Sequence, residues 1–177
     1  MILKDYNSNG KWAVEAVQAR YANYVANIGI AQPLQLIPRE HVQGEARWIF
    51  PIMDAVIEGI KTGDLACSRI GVEFIEEDQF FAFGANLKAR TARALRQSTL
   101  PQDLVVRIRA RIVNMLRNGN TPREFREYIK LLRRVGFSEL WPKIEVSSAH
   151  SNKHTAHYYN YLRAVHQHLP SVVSPKK

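Results

Sequence analysis

Amphipathic helical periodicity dominates the pattern of apolar and polar positions along this chain. Over most of its length apolar residues recur every three or four positions, which is the repeat of a helix that buries one face. The first predicted helix begins after Asn9, a favourable N-cap residue, and runs to about Ile28. Its apolar face carries Ala13, Val17, Tyr21, Tyr24 and Ile28. The dominant pattern therefore predicts a mainly α protein.

Proline and glycine mark the next predicted boundaries. Pro38 suits the first turn of a helix, so we expect a helix from there to Phe50, where Pro51 kinks or restarts it. The continuation runs to Lys61, and Gly63 is placed to end it. These signals predict helical structure over residues 38–61.

The segment over residues 64–78 fits two structures. As a helix capped by Asp64, it aligns apolar residues at every fourth position. As one strand of a small β-hairpin near residues 70–83, it alternates apolar and polar positions. Acidic residues at its C-terminal end oppose a helix dipole, whereas the absence of an Asn-Gly or Asp-Gly turn opposes a tight hairpin. We favour the helix.

Two capping boxes precede the next predicted helices. In each box a threonine is followed three residues later by glutamine or glutamate, which can satisfy free backbone N–H groups at a helix start. The boxes consist of Thr99 with Gln102 and of Thr121 with Glu124. They predict helices over residues 101–118 and 122–135, each followed by a glycine stop.

A last helix is predicted over residues 152–169, where Pro170 ends it. Short connections between amphipathic helices imply antiparallel helix pairs. We therefore expect an irregular bundle or a short HEAT-like stack of antiparallel helical hairpins. Residues 1–169 form a single helical domain in this interpretation, and residues 170–177 form a flexible C-terminal tail.

Composition agrees with one globular domain. The chain has 177 residues, of which 46% are hydrophobic, enough to bury a sizeable core. The single cysteine, Cys67, lies among apolar neighbours and cannot form an internal disulfide. The apolar runs are far shorter than the ~20 residues that span a bilayer, and the N-terminus lacks a signal-peptide pattern. We expect a cytoplasmic protein with no membrane partner.

The net charge of +9 is unevenly distributed along the chain. Residues 51–78 hold seven acidic and two basic residues, whereas residues 86–134 hold thirteen basic and three acidic residues. Eleven of those thirteen are arginine, whose planar guanidinium suits bidentate contact with phosphates. This asymmetry indicates a polyanionic or acidic partner, either nucleic acid or an acidic protein surface.

The helix predicted after the second capping box carries a stripe of cations. At about 100° of rotation per residue, the cations share one sector, and Phe125, Ile129 and Leu132 lie nearly opposite. The set of Arg123, Arg126, Lys130, Arg133 and Arg134 is called the cationic stripe below. With Arg107 and Arg111 on the preceding helix, the stripe is the candidate polyanion-binding surface.

Other interpretations of these cations stay open. They form a solvated face, they pair within the fold with the acidic residues over 54–78, or they bind acidic surfaces such as residues 73–78 on another protein or a second copy of the chain. A helix-turn-helix also has a suitable connection length, but the stripe lacks the Asn and Gln side chains that read base edges. Sequence-specific DNA binding is therefore a minor option.

Five of the six histidines lie between His150 and His168. Of these, His154 and His157 have helical spacing and are weak metal-ligand candidates, because no further ligand motif accompanies them. An exposed helix surface is the favoured interpretation. The side chains that would extend a polyanion-binding surface by stacking are His157, Tyr159, Tyr161 and Arg163.

Catalytic and cofactor motifs give little support to an enzyme. His41 and Glu45 lie four residues apart on a predicted helix, where they can form an acid/base pair, but no nucleophile accompanies them. The chain contains no dinucleotide fingerprint, P-loop or nucleophile elbow, so we expect no cofactor.

The sequence favours a non-enzymatic helical binding module that presents arginines to nucleic acid or another polyanion. A protein-interaction scaffold, which can also self-associate, is the first alternative. An enzyme of unrecognised type that uses His41 or the His154 and His157 edge is the second.

Overall fold

Helices dominate the computed structural model, which describes residues 2–7, 9–78, 83–146 and 152–168. The α-helices of these residues are α1 (Val14–Ile28), α2 (Met53–Lys61), α3 (Leu65–Glu77), α4 (Gly84–Gln97), α5 (Gln102–Arg117), α6 (Phe125–Val135), α7 (Trp141–Glu145) and α8 (Lys153–Gln167). Three strands, β1 (Ile2–Asp5), β2 (Glu40–Gln43) and β3 (Ala46–Ile49), form a small sheet. The prediction of a mainly α fold is confirmed.

Helix α3 lies at the centre of an irregular bundle. It packs against α1, α2, α4 and α5. Its fully buried apolar side chains are Ala66, Cys67, Ile70, Val72, Phe74 and Ile75. A helix that is apolar around most of its circumference needs neighbours on several sides, which explains the arrangement.

The helical interpretation of residues 64–78 is confirmed, and the hairpin near residues 70–83 is wrong. The Asp64 carboxylate accepts a hydrogen bond from the Cys67 backbone N–H at 2.8 Å and caps α3. The unfavourable acids at the other end of α3 are compensated, because Glu76, Glu77 and Asp78 each pair with a cation. Residues 79–82 of the alternative hairpin lie outside the described residues.

Two glycines allow α2 and α3 to pack closely. A Cβ atom added at Gly59 would lie 2.4 Å from the Sγ atom of Cys67. A Cβ atom added at Gly71 would lie 2.6 Å from the Cδ1 atom of Ile60. A Cβ at Gly59 would clash with Cys67 unless the helices moved, and a Cβ at Gly71 would require the side chain of Ile60 to shift.

The predicted helix from Pro38 to Phe50 is wrong, because this segment forms a hairpin of β2 and β3. His41 lies opposite Trp48 in the antiparallel register, and β1 joins the other side of β3 in parallel. Gly44 has φ of 59° and is the first residue of the two-residue turn, where a type II′ turn needs glycine. Strand β1, which lies about forty positions before β3 in the chain, is the third strand of the sheet.

The starts of α5 and α6 differ from the predicted capping boxes. Pro101 occupies the N-cap position of α5, and Thr99 does not cap it. At α6 the chain makes a turn after Pro122, and the helix begins three residues later. Phe125, Ile129 and Leu132 are nevertheless buried as predicted, and the apolar face of α5 is buried at Leu104, Ile108, Ile112 and Met115.

Helix α8 begins where it was predicted. The side-chain oxygen of Asn152 accepts a hydrogen bond from the Thr155 N–H at 2.8 Å. Leu162 is buried, whereas Tyr158 is only half-buried. Leu169 and the predicted tail over residues 170–177 lie outside the described residues. No helix in the described part of the chain is long and apolar enough to cross a membrane.

Candidate functional site

The acidic segment that ends α3 neutralises two of the seven predicted polyanion-binding residues. Arg107 makes a bidentate pair with Glu76, with Nε–Oε1 and Nη2–Oε2 distances of 3.1 and 2.5 Å, and this contact raises the pKa of the guanidinium. The Nη2 atom of Arg111 lies 3.4 Å from Asp78. One of the alternative interpretations was that the cations pair with the acidic residues over 54–78 within the fold. This is what the two arginines of α5 do.

A buried ionic cluster connects the end of α3 to the start of α6. Lys88 of α4 is only 5% exposed, and its Nζ atom lies 2.5 Å from Asp78 and 3.8 Å from Glu124. Asp78 also pairs with Arg111, so it links α4 to α5. The cluster fixes where α6 begins relative to α3 and α4.

Glu127 of α6 organises the cations between α4 and α6. Its carboxylate lies 3.1 to 3.4 Å from Lys130, Arg93 and Arg96. Burial raises the pKa of Glu127, but the contacts with Lys130 and Arg93 outweigh burial and hold the pKa below its ordinary value. Lys130, a member of the cationic stripe, is therefore paired within the fold.

The remaining four members of the stripe are exposed, and we call them the α6 arginines. They are Arg126, Arg133 and Arg134 on α6 and Arg123, which lies in the turn before α6 and not on the helix as predicted. Among the described residues, no carboxylate lies within 4.0 Å of any of their guanidinium groups. The residues outside the described part contain no Asp or Glu side chain. The α6 arginines are thus available to an external anion.

A cleft of about 760 Å³ lies between the start of α4 and the start of α6, and we call it the N-terminal cleft. Arg93, Arg123 and Arg126 line it, together with the first turn of α4. The acidic side chains in its wall, Glu124 and Glu127, are engaged by Lys88, Lys130 and arginines. Backbone N–H groups of a first helical turn lack intrahelical partners, so they add to the positive character of the cleft.

A second groove, of about 460 Å³, lies where the end of α6 meets α8, and we call it the C-terminal groove. Its walls include Arg133, Phe137, Tyr161, Val165 and His168. The Nη1 atom of Arg133 donates a hydrogen bond to the Tyr161 hydroxyl at 3.0 Å. This groove places an aromatic side chain beside an exposed guanidinium.

The aromatic and histidine residues of α8 divide between the core and the surface. Tyr159 is buried against Trp141, with ring centroids 5.8 Å apart, so its predicted place on the binding surface is wrong. His154 and His157 are exposed, and within the described residues no group of three His, Cys, Asp or Glu side chains is placed to hold a metal. His150 lies outside those residues.

His41 does not form the predicted helical pair with Glu45. His41 lies on β2, where its ring is 5.4 Å from that of Trp48, and Glu45 lies in the hairpin turn. The strand and the turn place these side chains on different parts of the hairpin, whereas helical spacing would have put them on one face.

Three site residues were not predicted as such from the sequence. Arg93 was counted only among the basic residues over 86–134, although it lines the N-terminal cleft. The role of Glu127 depends on α4, and that of Glu124 on Lys88, and these contacts carry no local sequence signal.

No protein-family model, curated protein or solved structure matches this chain in comparisons with known proteins. The functional argument therefore rests on the surface itself.

Proposed function

We propose that this protein binds nucleic acid by contacting its phosphate backbone with the α6 arginines. The observation that carries the proposal is the selective pairing of cations. The arginines of α5 that face the acidic segment are neutralised, whereas Arg126, Arg133 and Arg134 on one face of α6, and Arg123 in the turn before it, have no acidic partner among the described residues. Exposed guanidinium groups suit phosphates because the planar fork of N–H groups can donate two hydrogen bonds to two oxygens of the tetrahedral phosphate.

The N-terminal cleft supports the same assignment. It gathers Arg93, Arg123 and Arg126 around a concave surface, where a phosphate can contact more than one guanidinium. The expected cytoplasmic location is part of the proposal, which assigns a binding role without a catalytic step.

Self-association through the acidic end of α3 is less favoured. Glu73 pairs with Arg20, Glu76 with Arg107, and Asp78 with Lys88. Glu77 accepts a hydrogen bond from the Trp12 indole at 3.1 Å. A second copy of the chain would have to break these contacts to offer this segment to the α6 arginines.

Fluorescence anisotropy tests the proposal with labelled mixed-sequence DNA and RNA oligonucleotides. We expect binding at low salt that weakens steeply between about 50 and about 200 mM salt, because each neutralised phosphate releases counterions. Four contacts to a single strand give a slope of log K against log salt of about −3. Absence of binding to both nucleic acids at low salt would contradict the proposal.

A matched pair of four-residue variants tests the position of the site. One variant replaces the α6 arginines by glutamine, and the other replaces four exposed cations elsewhere, Lys4, Arg39, Lys61 and Lys143. Both change the net charge equally, but we expect only the first to weaken binding by about ten-fold or more at low salt. Equal losses would indicate a general charge effect and contradict the proposed site.

An acidic polypeptide tests the choice of anion. Polyglutamate presents carboxylates without phosphates, so we expect it to compete weakly against the labelled oligonucleotide. Competition as strong as that of unlabelled nucleic acid would favour an acidic protein surface as the partner instead.

A further inference from the structure

Neighbouring helices flank α6 on both sides of its arginines. On one side, Arg93 and Arg96 of α4 contact Glu127. On the other side, Tyr158 of α8 packs on Phe125 with ring centroids 5.1 Å apart, and α5 packs behind. Only a narrow face of α6 therefore reaches the surface.

This position is unfavourable for reading duplex DNA. A recognition helix is about 10–12 Å across with its side chains and must enter a major groove about 12 Å wide. With α4 and α8 alongside, α6 cannot enter the groove without carrying its neighbours into the DNA backbone. The basic surface is better suited to a strand that lies across it.

The C-terminal groove supplies a feature that phosphate binding alone does not need. Its walls are mainly apolar and include Phe137, Tyr161 and Val165, and its volume of about 460 Å³ is within the range of small-ligand pockets. Apolar walls disfavour a phosphate, but an aromatic ring offers a stacking surface to a base. Arg133 stands at the same groove and joins it to the basic face of α6.

Two arginines of α6 lie one at each of the two concave surfaces, the N-terminal cleft and the C-terminal groove. Arg126 lines the N-terminal cleft and Arg133 lines the C-terminal groove. Seven residues of helix separate them, which corresponds to about 10 Å along the α6 axis. A backbone bound along α6 therefore passes from the cleft to the groove.

We propose that the ligand is single-stranded nucleic acid, with one unpaired base inserted in the C-terminal groove against Tyr161. This inference rests on the proposed function and specifies its ligand. The α6 arginines hold the backbone, and the groove accepts a base of any sequence, because every base has a π-face. Bases in a duplex are paired and stacked and cannot enter it.

Three oligonucleotides of equal length test the inference on the full chain. They are a mixed-sequence single strand, its duplex, and an abasic single strand that retains the phosphates but lacks bases. We expect the protein to bind the mixed single strand about ten-fold more tightly than the other two at the same salt concentration. Equal affinity for all three would overturn the inference but leave phosphate binding intact, whereas no binding to any would overturn both.

Variants of Tyr161 locate the base. Tyr161→Leu removes the ring, and we expect the ratio of the affinities of this variant for the mixed and the abasic single strands to fall from about ten to about one. Tyr161→Phe keeps the ring and should retain most of the preference. The matched control is Tyr6→Leu, which removes a half-buried tyrosine ring near Phe50 and Phe83, outside the residues that line the groove. Preservation of the preference in Tyr161→Leu would contradict the assignment of this groove.

Discussion

Lys88 occupies a position where its charge is needed by the fold. It is a buried cation between two carboxylates, those of Asp78 and Glu124, on different parts of the chain. Removing one member of a buried ionic group leaves the others desolvated without compensation. The residue therefore stabilises the approach of α3, α4 and α6 rather than serving as a ligand-binding cation.

Lys88→Met tests this role, because methionine retains the aliphatic bulk but removes the charge. We expect the free energy of unfolding to fall by about 3–5 kcal/mol in urea denaturation. The exposed Lys61→Met control loses only the surface pair with Glu58, which stabilises by about 0–1 kcal/mol. Adding Glu124→Gln to Lys88→Met should restore part of the loss, and wild-type stability of the single variant would contradict the role.

The lowered pKa of Glu127 predicts that the stability of the fold depends on pH. Its pKa is held below the ordinary value of 4.5, so the ionised form is favoured in the folded state. This stabilisation is fully present above the unfolded-state pKa and is lost as the pH falls through the lower folded-state pKa. Glu127→Gln should therefore lower the free energy of unfolding by about 1–3 kcal/mol near neutral pH.

Urea denaturation at a series of pH values checks this dependence. We expect the stability difference between wild type and Glu127→Gln to shrink as the pH falls below the ordinary value of 4.5. The matched carboxylate variant is Glu58→Gln, whose surface partner Lys61 is exposed. A difference for Glu127→Gln that is constant across the pH range would show that its charge does not contribute.

At the scale of elements, the close contact between α2 and α3 depends on Gly59, which has no side chain. Alanine normally favours a helix over glycine by up to about 1 kcal/mol. At Gly59, however, the added Cβ would lie 2.4 Å from the Cys67 Sγ and 3.1 Å from Leu34 Cδ1. Overpacking in a closed core costs about 1–3 kcal/mol, so close packing outweighs propensity.

Gly59→Ala should therefore lower the thermal unfolding midpoint rather than raise it. Combining it with Cys67→Ala removes the nearest sulfur atom and should recover part of the loss. Calorimetry on the two single variants and the double variant measures this coupling. A stabilised Gly59→Ala protein would mean that the two helices adjust without strain.

The helical elements were predicted largely from local pattern. The apolar faces of α1, α3, α5 and α6 follow the 3.6-residue repeat, and the Asp64 cap of α3 and the glycine stops after α5 and α6 agree with the observed helix ends. The start of α1 differs, because Asn9 precedes a short 3-10 turn and α1 begins at Val14. Strand β1 was missed because it pairs with β3 across about forty residues, and pairing at that distance leaves no local signal. The β2–β3 hairpin was missed because Pro38 was interpreted as a helix start. The two-residue Gly44–Glu45 turn was the one local clue to the β2–β3 hairpin.

At the scale of the whole molecule, the folded chain divides its positive charge into two classes. Arginines of α4 and α5 that face the start of α2 and the end of α3 are paired, as Arg90 is with Asp54 and Arg107 with Glu76. The α6 arginines make no ion pair with that acidic region among the described residues. The expected loss of nucleic-acid binding in the four-arginine variant belongs to this scale, because it depends on which cations the fold leaves unneutralised.

The sequence by itself determined the helical class, the buried faces of the main helices and the presence of a cationic stripe, because helical periodicity is a local property. Only the tertiary structure decided which cations stay available. Arg107 and Arg111 have the same chemistry as Arg126 and Arg133, but the end of α3 lies against the first pair and not the second. Pairing between charges depends on distance in space, and the distances between α3, α5 and α6 are set by packing of the core rather than by spacing along the chain.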